Sequence, residues 1–150
     1  MFDHILSMLN GEPMLAEPED IQIAVGALLV EAARMDDRFD ETERAAVQRI
    51  LARRFDLSPE ETARLLAGAE RAAIESSQLF RFTQLVVERF DPRERIGLIE
   101  MMWEVAYADG VLDPDEDALL RRVAGLIYVS DQDRGAARKR ALRRLGHDPD

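Results

Sequence analysis

Cysteine is absent from the 150 residues, which excludes disulfides, thiolate metal sites and cysteine nucleophiles and suits a reducing compartment. Histidine occurs only as His4 and His147, one near each end and away from any patterned site. A His-based metal centre or a Ser/His catalytic pair is therefore not expected. Aromatic residues are sparse, and no stretch alternates apolar and polar residues persistently enough to form a strand. The longest nearly apolar run, Ile21 to Val30, is too short to span a bilayer and contains Gln22. Met1-Phe2-Asp3-His4 has no basic residue ahead of its short apolar run, so a signal peptide is not expected and a cytoplasmic setting is. No glycine-rich phosphate loop, nucleophile elbow or HExxH motif is present, and no catalytic residues are assigned.

What is abundant points one way. Hydrophobic residues make up 47% and charged residues 33%, with Ala, Leu, Arg and Glu frequent. These are good helix formers with enough apolar content to bury a core, and they predict a single all-α domain. The net charge of −10 opposes binding to a nucleic-acid backbone. Residues 1 to 33 contain no Lys or Arg, whereas Arg134, Arg138, Lys139, Arg140, Arg143 and Arg144 crowd the other end. That basic segment is read either as an interaction patch or, in preference, as the solvated face of a terminal helix, its cations favoured near the helix C-terminus and set against acidic neighbours.

Apolar spacing and punctuation divide the chain. A short amphipathic helix is read over residues 1–9, a link through Gly11, Pro13 and Pro18, and a helix over 19–35. Further helices are read over 40–54, from Pro59 to Glu75, over 78–89, from Pro92 to Ala108, from Pro114 to Tyr128 and over 130–145. The packed core is placed at about 20–145, with 1–18 as N-terminal helix and linker and 146–150 as a frayed tail. Ser58-Pro59-Glu60-Glu61 has the spacing of a capping box, and Asp91 is the next N-cap. Met101, Met102 and Trp103 are expected in the core. Phe80 and Phe82 cannot share one helical face, so one of them should be exposed.

One stretch occurs twice. Asp36-Asp37-Arg38-Phe39-Asp40-Glu41-Thr42-Glu43 and Asp109-Gly110-Val111-Leu112-Asp113-Pro114-Asp115-Glu116 lie 73 positions apart and align without a gap. Each ends a helix, inserts an apolar plug and starts a second helix on Asp-x-x-Glu, which predicts a compact bundle of seven to eight helices built from two related hairpins. Helix capping accounts for Asp40, Glu43, Asp113 and Glu116. It does not account for Asp36 and Asp109, which fall in the last turn of their helices, where the macrodipole disfavours a carboxylate. Arg38 offsets the first. The second has no nearby cation, so Asp109, Asp113, Asp115 and Glu116 form the stronger candidate site for a hard divalent ion such as Ca²⁺ or Mg²⁺, with Asp36, Asp40 and Glu43 the weaker. The EF-hand pattern is absent. Glu31 and Glu104 hold equivalent places shortly before the two turns and are read either as buried acids supporting the turns or, in preference, as surface residues.

The segment Ala106-Tyr107-Ala108-Asp109-Gly110-Val111-Leu112-Asp113-Pro114-Asp115-Glu116, followed by Leu119, Leu120 and Val123, resembles the signature of the TerB-like tellurite-resistance family. Ala33 to Glu43 is similar, with Asp37 in the position of the glycine. The resemblance covers about residues 20 to 145. It implies a noncatalytic domain of around seven helices, a protein partner in stress-response assemblies near the membrane, and acidic turn residues associated with metal. By position these are Asp36, Asp40 and Glu43 in the first motif and Asp109, Asp113 and Glu116 in the second.

Overall fold

A computed structural model describes residues 18–34, 40–75, 79–108 and 114–146. The described residues form seven helices and no strand: α1 (Pro18–Ala33), α2 (Glu41–Phe55), α3 (Pro59–Glu75), α4 (Leu79–Arg89), α5 (Pro92–Ala106), α6 (Pro114–Leu126) and α7 (Asp131–Arg144). The all-α expectation holds, and the helix bounds fall within two residues of those read from the sequence. The helix read over residues 1–9 lies outside the described residues.

Side-chain caps decide where the helices begin. Asp91 accepts from the Glu94 amide at 2.8 Å while Glu94 Oε1 accepts from the Asp91 amide at 3.1 Å, and Pro92 follows the cap. Ser58 and Glu61 make the same reciprocal pair at 3.2 and 2.9 Å. Hydrogen bonding of its carboxylate to Ser58, foremost to the Ser58 amide, holds Glu61 below its ordinary range. Asp40 and Ser130 accept from the amides of Glu43 and Asp133. Each cap contributes about 1 kcal/mol by satisfying an amide that the helix cannot.

Two helices end alike. Asp56 (φ 54°) and Tyr128 (φ 62°) turn the chain through the left-handed region. The next amide in each case reaches back five residues, Leu57 N–H to the Ala52 carbonyl at 3.1 Å and Val129 N–H to the Ala124 carbonyl at 2.8 Å. This is the Schellman closure, made here without glycine. Aspartate tolerates the conformation; an aromatic side chain is unusual there. Tyr128 is also largely exposed.

Packing is organised around α1. Ala24, Val25, Ala27, Leu28, Leu29, Val30, Ala32 and Ala33 are all buried, and α1 touches α2, α3, α4, α5 and α6. A helix apolar on every side can only be a central one. Its most extensive contact is with α3, and that of α5 is with α7. At the α1–α3 crossing a Cβ added to Gly26 would lie 2.8 Å from the Ala69 Cβ, and one added to Gly68 would lie 2.9 Å from Ile23 Cδ1. The missing side chains set the distance between these helices. Met101, Met102 and Trp103 lie in the core as expected, while Phe80 is exposed and Phe82 packs partly against the core.

Gly26→Ala should lower stability by about 1–3 kcal/mol despite alanine's better helix propensity, because the new methyl group overpacks against the backbone-fixed Ala69 Cβ. Gly135→Ala, where an added Cβ meets nothing within 4 Å, should raise stability by about 0.5–1 kcal/mol. Urea denaturation of both variants measures the contrast.

Candidate functional site

The two acidic turns are described in part. Asp36, Asp109 and Asp113 lie outside the described residues, as do Arg38 and Gly110. In the first turn the structure brings Asp40 and Glu43 together as a cap, with the Glu43 amide 2.9 Å from Asp40 Oδ1 and the Glu43 residue buried. In the second, Asp115, Glu116 and Asp117 occupy the first turn of α6, where the helix dipole favours negative charge. Asp115 is exposed, Glu116 half-buried, and Asp117 is held by Arg121 at 3.1 Å. Among the described residues no three acidic or histidine side chains are grouped so as to hold a metal ion. Capping is thus the visible role of Asp40.

One expectation is overturned just before the second turn. Glu104 is not a surface residue but is 1% exposed, the most deeply buried acid of the described chain. The heptad-like spacing of α5 had no means of showing that two cations from distant helices converge on it. Arg53, from the last turn of α2, places Nη2 3.2 Å from Oε1 and 3.3 Å from Oε2 of Glu104. Arg144, from the last turn of α7, hydrogen-bonds Glu104 Oε1 and also approaches Glu100 Oε2 at 3.5 Å. Arg140 Nε donates to Glu100 Oε1 at 2.8 Å. Burial works against the Arg144 charge, but the bonds and attraction from Glu104 and Glu100 outweigh it and hold its pKa above the ordinary arginine value. The network ties α2, α5 and α7 together.

A second contact secures the same end of α5. Trp103 stacks on Tyr107 with centroids 5.9 Å apart, and the Arg138 guanidinium lies 5.7 Å from the Tyr107 ring while its Nε donates to the tyrosine hydroxyl at 3.0 Å. Arg140 and Arg144 therefore face acidic neighbours on α5 and Arg138 an aromatic one, while Arg134 bonds Asp131 within α7.

Above the network is a groove of about 370 Å³ lined by Arg53, Arg54, Glu94, Gly97, Glu100, Met101 and Arg144. Arg54 is bonded to Glu94 at 3.1 Å, and its guanidinium lies 5.4 and 5.2 Å from the rings of Phe55 and Phe90. Sequence reasoning singled out Arg144 in the basic segment and Met101 in the core, but it missed Arg53, Arg54, Gly97 and Glu100 because none belongs to the repeated acidic motif. The available signal was a difference between the repeats, since the counterparts of Arg53 and Arg54 are Leu126 and Ile127.

With this geometry established, comparison with known proteins adds one result. The model of a family described as tellurite resistance protein TerB matches residues 22–139, more than three quarters of the chain. The chain belongs to the TerB family. No curated protein and no solved structure matches it. The TerB match contains both acidic turns and Glu104, whereas Arg140 and Arg144 fall beyond its end. Seven helices in the described residues agree with the fold the TerB resemblance implies. No described helix is long and apolar enough to cross a membrane.

Glu31, the positional counterpart of Glu104, is only half-buried, and the counterparts of Arg53 and Arg144 are Leu126 and Ala72. Burial raises the Glu31 pKa, with Arg34 partly opposing the effect. A carboxyl whose folded pKa is raised favours the folded state most when protonated, and that contribution fades as pH rises through the folded pKa. Glu31→Gln should accordingly melt higher than the parent at pH 7, the difference closing as pH falls below 4.5, the ordinary glutamate value. Glu104→Gln should instead cost about 1–3 kcal/mol at pH 7 by removing the charge that holds two arginines, measurable by thermal denaturation.

Proposed function

We propose that this TerB chain is a noncatalytic interaction domain of a stress-response assembly near the membrane, with a weak divalent-cation site at its second acidic turn. The observation that carries the cation reading is charge. Asp109, Asp113, Asp115, Glu116 and Asp117 fall within nine positions with no Lys or Arg among them, and the next cation, Arg121, is bonded to Asp117. Carboxylate and carbonyl oxygens suit Ca²⁺ or Mg²⁺, and without an EF-hand loop the affinity belongs on the order of the millimolar range. A role in tellurite resistance comes to the chain through the family's description alone. Partner binding rests on the noncatalytic character the family implies and on the absence of any catalytic motif in the sequence.

A second reading, a structural adaptor whose turns serve only as caps, is favoured by the Asp40 bond to the Glu43 amide. Calorimetric titration of Ca²⁺, Mg²⁺ and Mn²⁺ into the parent and into Asp109→Ala/Asp113→Ala separates the two. Saturable heat in the parent that the double variant lacks is the expected result. Absence of heat, together with a melting temperature unmoved by millimolar ion, would leave capping as the sole role of the turns.

A further inference from the structure

Four guanidinium groups, those of Arg53, Arg54, Arg140 and Arg144, meet three carboxylates, Glu94, Glu100 and Glu104, around the α2–α5–α7 groove. The cluster thus carries one positive charge in excess, in a chain whose net charge is −10. Arg53 and Arg54 each make their described ion pair through Nη2 alone. A guanidinium has five N–H donors, so Nε and Nη1 of both remain for other acceptors. The side chains are 48% and 33% exposed, and that of Arg144 is 45% exposed, so the donors are open to a solute.

These charges do not recur at the matching positions of the sequence. Ala33 and Ala106, and Glu41 and Pro114, lie 73 positions apart, whereas the left-handed caps Asp56 and Tyr128 and the N-caps Ser58 and Ser130 lie 72 apart. Arg53 and Arg54 correspond to Leu126 and Ile127 at the first spacing and to Gly125 and Leu126 at the second, and Glu94, Glu100, Arg140 and Arg144 correspond to Ile21, Ala27, Gly68 and Ala72. The same places in the other half are met by apolar or small residues. A buried ionic cluster is weak support for stability when apolar packing can take its place. What Glu104 does achieve is to hold Arg53 and Arg144 in fixed positions, the preorganisation that an anion site needs. Gly97 keeps the groove open, since an added Cβ there would meet nothing within 4 Å.

We propose that this groove binds a compact phosphate-headed molecule, with Arg53, Arg54 and Arg144 donating to its oxygens. A phosphate monoester offers three strong acceptor oxygens and nearly two charges, which matches three converging guanidiniums better than the two oxygens of a carboxylate. The volume suits a small ligand. Glu94 and Glu100 at the rim and the acidic surface beyond oppose an extended polyanion such as nucleic acid.

Isothermal titration at constant ionic strength with inorganic phosphate, phenyl phosphate and acetate tests this on the full chain. The expected result is saturable phosphate and phenyl phosphate binding at least tenfold tighter than acetate. Gly97→Met, which fills the groove, and Arg54→Gln, on the exposed rim, should each weaken it at least tenfold, while Arg121→Gln on α6 should not. Asp109→Ala/Asp113→Ala should bind phosphate like the parent, so failure of the cation reading and failure of this one are separable. Should either groove variant fold poorly by circular dichroism, the other carries the test. Equal affinity for acetate or for a glutamate-rich peptide, or phosphate binding unchanged in the folded groove variants, would overturn the proposal.

Discussion

Helix α1 runs through the middle of the molecule, and almost every side chain from Ala24 to Ala33 is shielded by one of five neighbours. Enclosure of this kind demands that some neighbours come close, and the small residues of α1 permit it. Gly26 rests against Ala69 of α3 at a distance that leaves no room for another methyl group. Once α1 is enclosed, α2 and α3 are fixed on it, α5 packs alongside, and α7 is laid against α5. The last turns of α2 and α7 then meet over the C-terminal half of α5. The arginine–glutamate network is a consequence of that meeting.

Apolar packing and charge play different parts in this arrangement. Burial of the core residues supplies the driving force, of order 25 cal/mol per Å² of apolar surface removed from water. Caps at Asp40, Ser58, Asp91 and Ser130 each contribute far less, but they set where helices begin and hence the register in which core residues face one another. The buried Glu104 belongs to neither class. Placing a carboxylate at 1% exposure is costly, and two arginines offset the cost while tying together three helices far apart in sequence.

The two parts of the chain that carry the acidic motif differ in chemistry, although several of their helix bounds lie 72 or 73 positions apart. One half keeps apolar residues where the other places arginines and glutamates, and its Glu31 sits half-buried with Arg34 as the charge that opposes its desolvation. The acidic turns differ too: the first contains Arg38, whereas the second accumulates carboxylates through Asp117. The sequence thus accumulates carboxylates between α5 and the first turn of α6, while arginines of α2 and α7 line a groove on α5.

The sequence by itself determined the helices, their capped starts, the core faces and the duplicated acidic motif. All of these depend on neighbours within a turn or two, so period and punctuation reveal them. Ser58 with Glu61 and the core triple Met101, Met102 and Trp103 were legible for that reason. Of the candidate cation ligands, Asp40 and Glu43 were legible as a cap and found as one, and Asp115 and Glu116 fall in the first turn of α6 as their spacing implies. Only the tertiary structure decided that Glu104 is buried, that Arg53 and Arg144 share it, and that a groove opens beside Gly97. Residues 51 and 40 positions apart are brought together there by the packing of three helices, and no local pattern records which ends of which helices will meet.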